Sequence, residues 1–431
     1  MRIRRSFQVK NVEKFKAHLL GWAQQYNKVV WFDSNGHTDS YSSFEALLAV
    51  GTDDDFLLQS LDSLEHRLHA DGGKADWLVG YISYDVKNEL EALQSNNHDG
   101  LEFAPLHFFC PRKIIRITND EVEFLYPQNL EREVQNDFET ISGYGATSTN
   151  GKASTNVKVR LRIHKDAYFE KVRALLAHIH RGDIYEANFC QEFFSEDTEI
   201  APLPTYLQLN AISRPPFASY LRLGDQYLLC ASPERYLKKT GDTIISQPIK
   251  GTAPRSDDPI MDEILKKSLL NDPKERAENI MITDLVRNDL SKRALKGSVE
   301  VSELCQVYAY RQVHQMVSTI SCRVGQGVNP VDIIKDTFPM GSMTGAPKIS
   351  AMKIIEELEE TKRGLYSGAV GYFTPEGDFD FNVVIRSILY NHQKKYISYS
   401  VGSAITAKSN PEKEYQECLV KAKAMRSVLE G

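Results

Sequence analysis

Two periodicities alternate along most of this chain. Tyr168, Val172, Leu175, Leu176 and Ile179 recur at helical spacing and stop before Gly182. That pattern predicts an amphipathic helix closed by a glycine and feeding the strand-like run DIYEANFCQEFF. Short apolar runs bounded by turn residues predict further strands at FASYLRL, QYLLCAS, TIISQPI, AVGYFT, NVVIRSILY and YISYSVG. Helices are predicted over about 259–270, 274–287, 347–361 and 411–429. The first ~110 residues mix strand-like KVVWF, WLVGYISY and HFFC with an amphipathic stretch from Phe56 to Leu68, the mark of α+β structure. Residues 143–157, GYGATSTNGKASTNV, carry almost no large apolar side chains and read as an exposed linker. The predicted organisation is an N-terminal α+β region over 1–142, a linker over 143–157, and a unit over 158–431 that carries the chemistry.

Composition narrows the class. With 431 residues, 42% hydrophobic and 26% charged, the chain can bury one large elaborated core or two smaller ones. No run approaches the roughly 18 apolar residues of a membrane span. The start, MRIRRSFQVKNVEKF, lacks the apolar stretch of a signal peptide, so the expectation is a cytoplasmic protein. Cys110, Cys190, Cys230, Cys305, Cys322 and Cys418 form no CxxC pair, which predicts reduced, mostly buried thiols and neither a disulfide framework nor a zinc cluster. A net charge of −6 argues against a nucleic-acid surface. It admits a small anionic substrate where cations or a metal ion are concentrated locally.

Several stretches then ask for an explanation. In SQPIKGTAPR, Lys250 stands between an apolar strand-like run and a Gly-Thr turn, where burying a charge is costly; alone, it reads as a lysine snorkelling off a strand end. In NDPKERAENIMITDLVRNDL, Pro273 suits the first helical position, and Glu275 and Glu278 project three residues apart from one face. SNPEKEYQECLVKAKAM repeats the arrangement, with Asn410 as N-cap, Pro411 at N1, and Glu414 and Glu417. Two carboxylate pairs from two helices suit Mg²⁺, although glutamates in a first turn also complement the helix dipole, and Glu417 can pair with Lys421.

FPMGSMTGAPKISAMKIIEELE places a Gly-Thr turn ahead of a helix with Ile349, Met352 and Ile355 turned inward, either an anion seat or a capped helix start. It is no P-loop, because its lysine follows Pro347. YSVGSAIT ends in Gly402 and small residues, either where a ligand carboxylate can approach the backbone closely or as a bulge or tight bend. His314 and Arg386 are each open to a structural reading, or to one in which Arg386 grips a carboxylate in two places.

Taken in order, SPERYL, PIKGTAPR, KERAENIMITDLVRNDL, HQMVS, FPMGSMTGAPKISAMKIIEELE, RGLYSGAVGYF, VVIRSI and SNPEKEYQE resemble the chorismate-utilising enzymes over roughly residues 160–430. The resemblance implies an α+β fold of two large antiparallel sheets packed face to face, with helices outside and the active site in the cleft between. It implies that Glu278 and Glu417 bind Mg²⁺ with Glu275 and Glu414 close by, the ion holding the ring carboxylate of chorismate. It implies substrate contacts from Thr252, His314, Tyr366, Arg386 and the backbone of Gly402, Ser403 and Ala404. Glu234 matches the family's general acid, placed to protonate the departing C4 hydroxyl, with its pKa raised.

The family's branches differ at two places. Members that add water carry a lysine base in the strand after the first helix, at a position matched here to Ala187, which cannot activate water. Anthranilate synthases typically show alanine before Gly-Thr, and aminodeoxychorismate synthases lysine; this chain has Lys250. A neutral Lys250 amine can attack C2 of chorismate to give a covalent intermediate that ammonia opens at C4, and its apolar flank is expected to lower its pKa toward that form. The N-terminal region has no LLES-like segment, which favours the same branch. Two departures stand out: Glu186 where the aminating branches usually have glutamine, and Gly402-Ser403-Ala404 in place of Gly-Ala-Gly. No Gly-x-Cys-x-Gly context marks a glutaminase domain, so the resemblance implies a separate glutamine amidotransferase subunit as the ammonia source. Anthranilate synthase component I and an inactive chorismate-binding homologue remain the rival readings.

Overall fold

The computed structural model describes residues 2–431 except 39, 54, 56, 70–75, 145–155 and 312. The centre of the expected linker, 145–155, therefore lies outside the described residues.

Two antiparallel sheets of 12 and 10 strands dominate the chain. The larger runs from Arg2–Gln8 at one edge, through Lys28–Asp33, Phe217–Leu223, Gln226–Ser232, Ser387–Asn391 and Tyr396–Thr406, to Glu186–Ser195 and the short Gly345–Ala346. The smaller begins at Ile249–Pro254 and Val313–Arg323, passes Thr243–Gln247, Arg235–Thr240, Phe379–Val383, Ala369–Phe373, Leu78–Ile82 and Leu106–Phe109, and ends on the short Leu57–Leu58. Residues of the N-terminal region complete both sheets. Lys28–Asp33 pairs with Phe217–Leu223, and Leu78–Ile82 with Ala369–Phe373.

Strand alternation explains the layering. In Lys28–Asp33, Val30 and Phe32 join an apolar core shared by the two sheets, while Val29 and Trp31 join a second core beneath the helices. In Glu186–Ser195, Cys190 and Phe194 face the first core, and Ala187, Phe189 and Phe193 the second. Both faces of the larger sheet are covered, which is why that strand is buried at all ten positions. Each large apolar side chain so buried contributes about 1.5–3 kcal/mol.

The helices start and stop where their sequence signals stand. Lys165–Arg181 ends on Gly182 at φ 90°, Pro273–Ser291 is capped by Asp272, and Pro411–Glu430 is capped by Asn410. Lys348–Leu358 buries Met352 and Ile355, but Ile349, expected inward, is 45% exposed. All six cysteines are free, and all but Cys110 are fully buried.

Two predicted strands are broken. TIISQPI is cut at Pro248, which has no N–H for the ladder: Thr243–Gln247 ends there and Ile249 opens the strand Ile249–Pro254. NVVIRSILY divides into Phe379–Val383 and Ser387–Asn391 because Arg386 takes φ 53°, a left-handed turn that carries the chain from one sheet to the other. Among the described residues no helix is long and apolar enough to cross a membrane.

Candidate active site

The edge strand Ile249–Pro254 of the smaller sheet and the strand Glu186–Ser195 of the larger meet through one side-chain pair. Lys250 Nζ donates to Glu186 Oε1 at 2.9 Å, and the two side chains are 10% and 1% exposed. Lys250 thus points into the molecule, not off a strand end. Its proton affinity is the reverse of the expectation. Burial pulls the pKa down, but the charge and hydrogen bond of Glu186, with the charges of Glu278 and Glu234, outweigh it, and the net shift is upward. Lys250 stands as an ammonium.

The pairing also corrects the alignment at Ala187. That residue belongs to the core under the helices, so the side chain this strand presents to Lys250 is Glu186. Gly345 seats the strand, since a Cβ there would lie 2.2 Å from the Glu186 carbonyl oxygen.

Glu234 lies just before the strand Arg235–Thr240 and is buried. Burial raises its pKa to about 7, against the opposing pull of a hydrogen bond from Ser342, the charge of Lys250 and the backbone of Ile249. The Ser342 hydroxyl donates to Glu234 Oε1 at 2.6 Å. The Gly-Thr turn thus supplies a side-chain hydroxyl to the acid. The helix after it starts on Pro347 without a side-chain cap.

The two carboxylate-bearing helices converge at their N-termini. Lys274 Nζ stands 3.6 Å from Glu278 Oε1 and 3.5 Å from Glu414 Oε1, bridging one helix to the other. Glu278 Oε1 is buried without a hydrogen-bond partner among the described residues. Burial raises the Glu278 pKa to about 7, with Lys250 and Lys274 opposing and Glu186 and Glu275 adding to the rise. Glu275 is also raised, chiefly by burial. Burial pushes Glu417 up, but Lys421, 2.6 Å away, outweighs it and the net shift is down. Glu414 accepts a hydrogen bond from the Ser403 hydroxyl.

The remaining predicted residues fall around this centre. Arg386 makes no ion pair among the described residues; burial lowers its pKa, with Tyr366 and Glu417 acting in the opposite direction. Arg386 and Lys421 line one small cavity with Pro233 and Gln315. The buried Tyr366 hydroxyl accepts a weak hydrogen bond from Cys190 Sγ at 3.7 Å. His314 is buried, with Nε2 2.9 Å from Asp262 Oδ1 and Nδ1 without a partner. Thr252 is exposed on the edge strand. The segment from Gly402 to Ala404 is tied into the protein: the Gly402 carbonyl accepts from Lys421 at 2.8 Å, and Ala404 pairs with Asn188. A Cβ on Gly402 would lie 2.7 Å from Cys190 Sγ, so this glycine admits a neighbouring strand's side chain.

Reading the sequence missed several supports. Arg363 donates to both carboxylate oxygens of Glu359, to the Met343 carbonyl at 2.6 Å and to the Asn188 carbonyl at 2.7 Å. Glu359 in turn accepts from the Cys190 N–H at 2.8 Å. This buried knot locks the Gly-Thr turn to the strand that carries Glu186. The only signal for it was the i,i+4 spacing of the pair. A cavity of about 450 Å³ lies elsewhere, between Phe32, Asp33, Phe44, Arg235 and Tyr372, and contains none of the predicted site residues.

The sequence profile of the chorismate binding enzymes matches residues 26–427. A probable chloroplastic aminodeoxychorismate synthase from Oryza sativa subsp. japonica is 36% identical over 386 residues, 82% of this chain and 43% of that protein. Anthranilate synthase component 1 from Thermus thermophilus is 34% identical over 360 residues, 82% of this chain and 77% of that one. This chain therefore spans less than half of the rice relative. Anthranilate synthase component I from Streptococcus pneumoniae has the same fold, with a TM-score of 0.77 at 23% identity over 99% of this chain and 92% of that one.

Proposed function

The chain belongs to the chorismate binding enzymes, and we propose that within them it is the synthase component that aminates chorismate. It would join chorismate and ammonia to give 4-amino-4-deoxychorismate, the precursor of para-aminobenzoate and folate. A separate glutamine amidotransferase subunit would deliver the ammonia. The observation that carries this reading is a lysine whose side chain is only 10% exposed, Lys250, electrostatically coupled to a buried acid whose pKa is raised to about 7, Glu234.

In this reading Lys250, once neutral, attacks C2 of the substrate ring while the C4 hydroxyl departs as water with the proton of Glu234. Ammonia then bonds C4, the lysine nitrogen leaves C2, and Glu234 recovers a proton from the incoming amine. The unpaired guanidinium of Arg386 is suited to a substrate carboxylate.

The donor set fits Mg²⁺. Glu278 keeps a buried oxygen without a hydrogen bond, and hard carboxylates from two helices face one another across Lys274. Glu278 and Glu417 would hold the ion, with Glu275 and Glu414 beside them. Among the described residues no three such groups stand close enough together to form a site, so the side chains must draw in around the ion. Bound there, Mg²⁺ would neutralise the carboxylates and hold the substrate's ring carboxylate.

The Thermus relative keeps a second reading, anthranilate formation, in view. Incubation with chorismate, MgCl₂ and ammonium chloride, followed by product mass, decides between them: a product retaining the enolpyruvyl group is expected, and fluorescent anthranilate refutes the proposal. No consumption of chorismate at high ammonium would indicate an inactive homologue. Lys250→Ala is expected to lower the amination rate at least about a hundredfold. An undiminished rate removes the covalent role.

A further inference from the structure

A lysine held as an ammonium cannot form a bond to carbon, so the proposed reaction needs a proton acceptor beside Lys250. We infer that Glu186 is that acceptor: an N–H bond on Lys250 breaks, an O–H bond on Glu186 forms, and the pair's opposite charges cancel inside the cleft. This deepens the amination reading and rests on it.

Geometry selects Glu186 among the three carboxylates that act on Lys250. Glu186 Oε1 already accepts from Nζ at 2.9 Å, so the proton has a direct path. Glu234 comes from the segment before Arg235–Thr240, is bonded to Ser342, and is itself the acid of the proposed step. Glu278, on the helix Pro273–Ser291, pairs with Lys274 and makes no ion pair with Lys250. The Glu186 backbone is fixed in the larger sheet, paired with Thr406 on one side and Ala346 on the other. Its other oxygen, Oε2, is buried with no hydrogen-bond partner among the described residues. An ionised carboxylate in a protein interior is usually satisfied at both oxygens. The Glu186–Lys250 pair is one hydrogen bond short of that state. A substrate that excludes the remaining water removes solvation that favours the charges and tips the pair toward the neutral form.

Glu186 acts through Lys250 and is a positioning residue, so the test reads the lysine itself. Lys250 in wild type, Glu186→Gln and Glu186→Asp is acetylated with limiting acetic anhydride from about pH 6 to 11 and quantified by peptide mass spectrometry. The labelling midpoint is expected to fall by about one pH unit or more in Glu186→Gln, where burial acts without the ion pair, and to stay within about half a unit in Glu186→Asp. Turnover at constant free ammonia supplies the second readout. Relative to wild type, Glu186→Gln should lose about tenfold at pH 6 and recover as pH rises through its labelling midpoint, with Glu186→Asp largely restoring the rate at pH 6. An unmoved midpoint, or an equal loss at every pH, overturns the proton transfer. A fully active Lys250→Ala overturns the lysine-linked reading and this inference with it. A slow Lys250→Ala with an unmoved labelling midpoint overturns the proton transfer alone.

Discussion

Two ion pairs are attached two and four residues apart along one strand, and they are built on opposite principles. Arg363 and Glu359 satisfy one another in full: Arg363 donates to both Glu359 oxygens and to two carbonyls, and Glu359 takes a backbone N–H as well. Lys250 and Glu186 share a single hydrogen bond and leave Glu186 Oε2 without one. Both pairs touch the strand Glu186–Ser195, the first through Asn188 and Cys190, the second through Glu186. A saturated pair has one low-energy arrangement and works as scaffold. An unsaturated one keeps a lone pair and a proton exchangeable, which chemistry requires and stability does not.

The largest effect should come from breaking the saturated pair. Arg363→Ala strands the Glu359 carboxylate in the interior and takes the guanidinium donors from the Met343 and Asn188 carbonyls. A loss of about 3–5 kcal/mol is expected, read from urea unfolding. If Lys250→Ala destabilised the chain as much as Arg363→Ala, the division between scaffold and chemistry would be wrong. Next in size is Glu234→Gln, which keeps the shape of the acid but withholds its proton. Amination at neutral pH should fall by about a hundredfold or more, roughly 3 kcal/mol in the barrier. Wild-type turnover should decline as pH rises through about 7, where Glu234 ionises, and Glu234→Gln should lack that decline.

The contrast also marks what the sequence disclosed. Lys250, Glu234 and the glutamates of two helix N-termini are single residues in short local motifs, and the structure gathers Lys250, Glu234 and Glu278 into one electrostatic centre. The helix caps Asp272 and Asn410 were legible for the same local reason. The apolar flank of Lys250 fits a side chain that is 10% exposed, although the stretch alone reads as a lysine snorkelling off a strand end. The sign of its pKa shift did not follow, because it depends on a partner 64 residues away in the other sheet. Register decided the rest. Nothing in YEANFC states which alternate positions face the cleft, so Ala187 was compared where Glu186 stands. The turn at Arg386 was hidden inside NVVIRS, whose β-branched residues read as one strand.

A third test reverses the sign of the first. Glu278 has a raised pKa, about 7 against an ordinary 4.5, so its folded form binds a proton more tightly than the unfolded chain does. That contribution to stability is fully present below about pH 4.5 and is lost as pH rises through about 7. At pH 8 the buried charge is a cost. Glu278→Gln should therefore stabilise the metal-free chain by about 1–2 kcal/mol at pH 8 and change little at pH 5. The same substitution should raise the Mg²⁺ concentration needed for turnover. Destabilisation at pH 8 would place Glu278 with the scaffold residues.

The smallest expected effect sharpens the comparison at a single hydrogen bond. Ser342 donates to Glu234 Oε1 at 2.6 Å and favours the ionised carboxylate, opposing the burial that raises its pKa. Removing the hydroxyl with Ser342→Ala takes away that opposition, so Glu234 should hold its proton to higher pH. The decline in turnover above pH 7 should move up by about one pH unit, with the plateau rate nearly unchanged, since the acid form is still present and still buried. Stability should change by about 1 kcal/mol or less, because a protonated Glu234 needs no donor. A shift toward lower pH would mean that Ser342 accepts the proton of the neutral acid instead of donating to the ion, and Glu234 would then belong with the saturated groups, its proton committed before the substrate arrives.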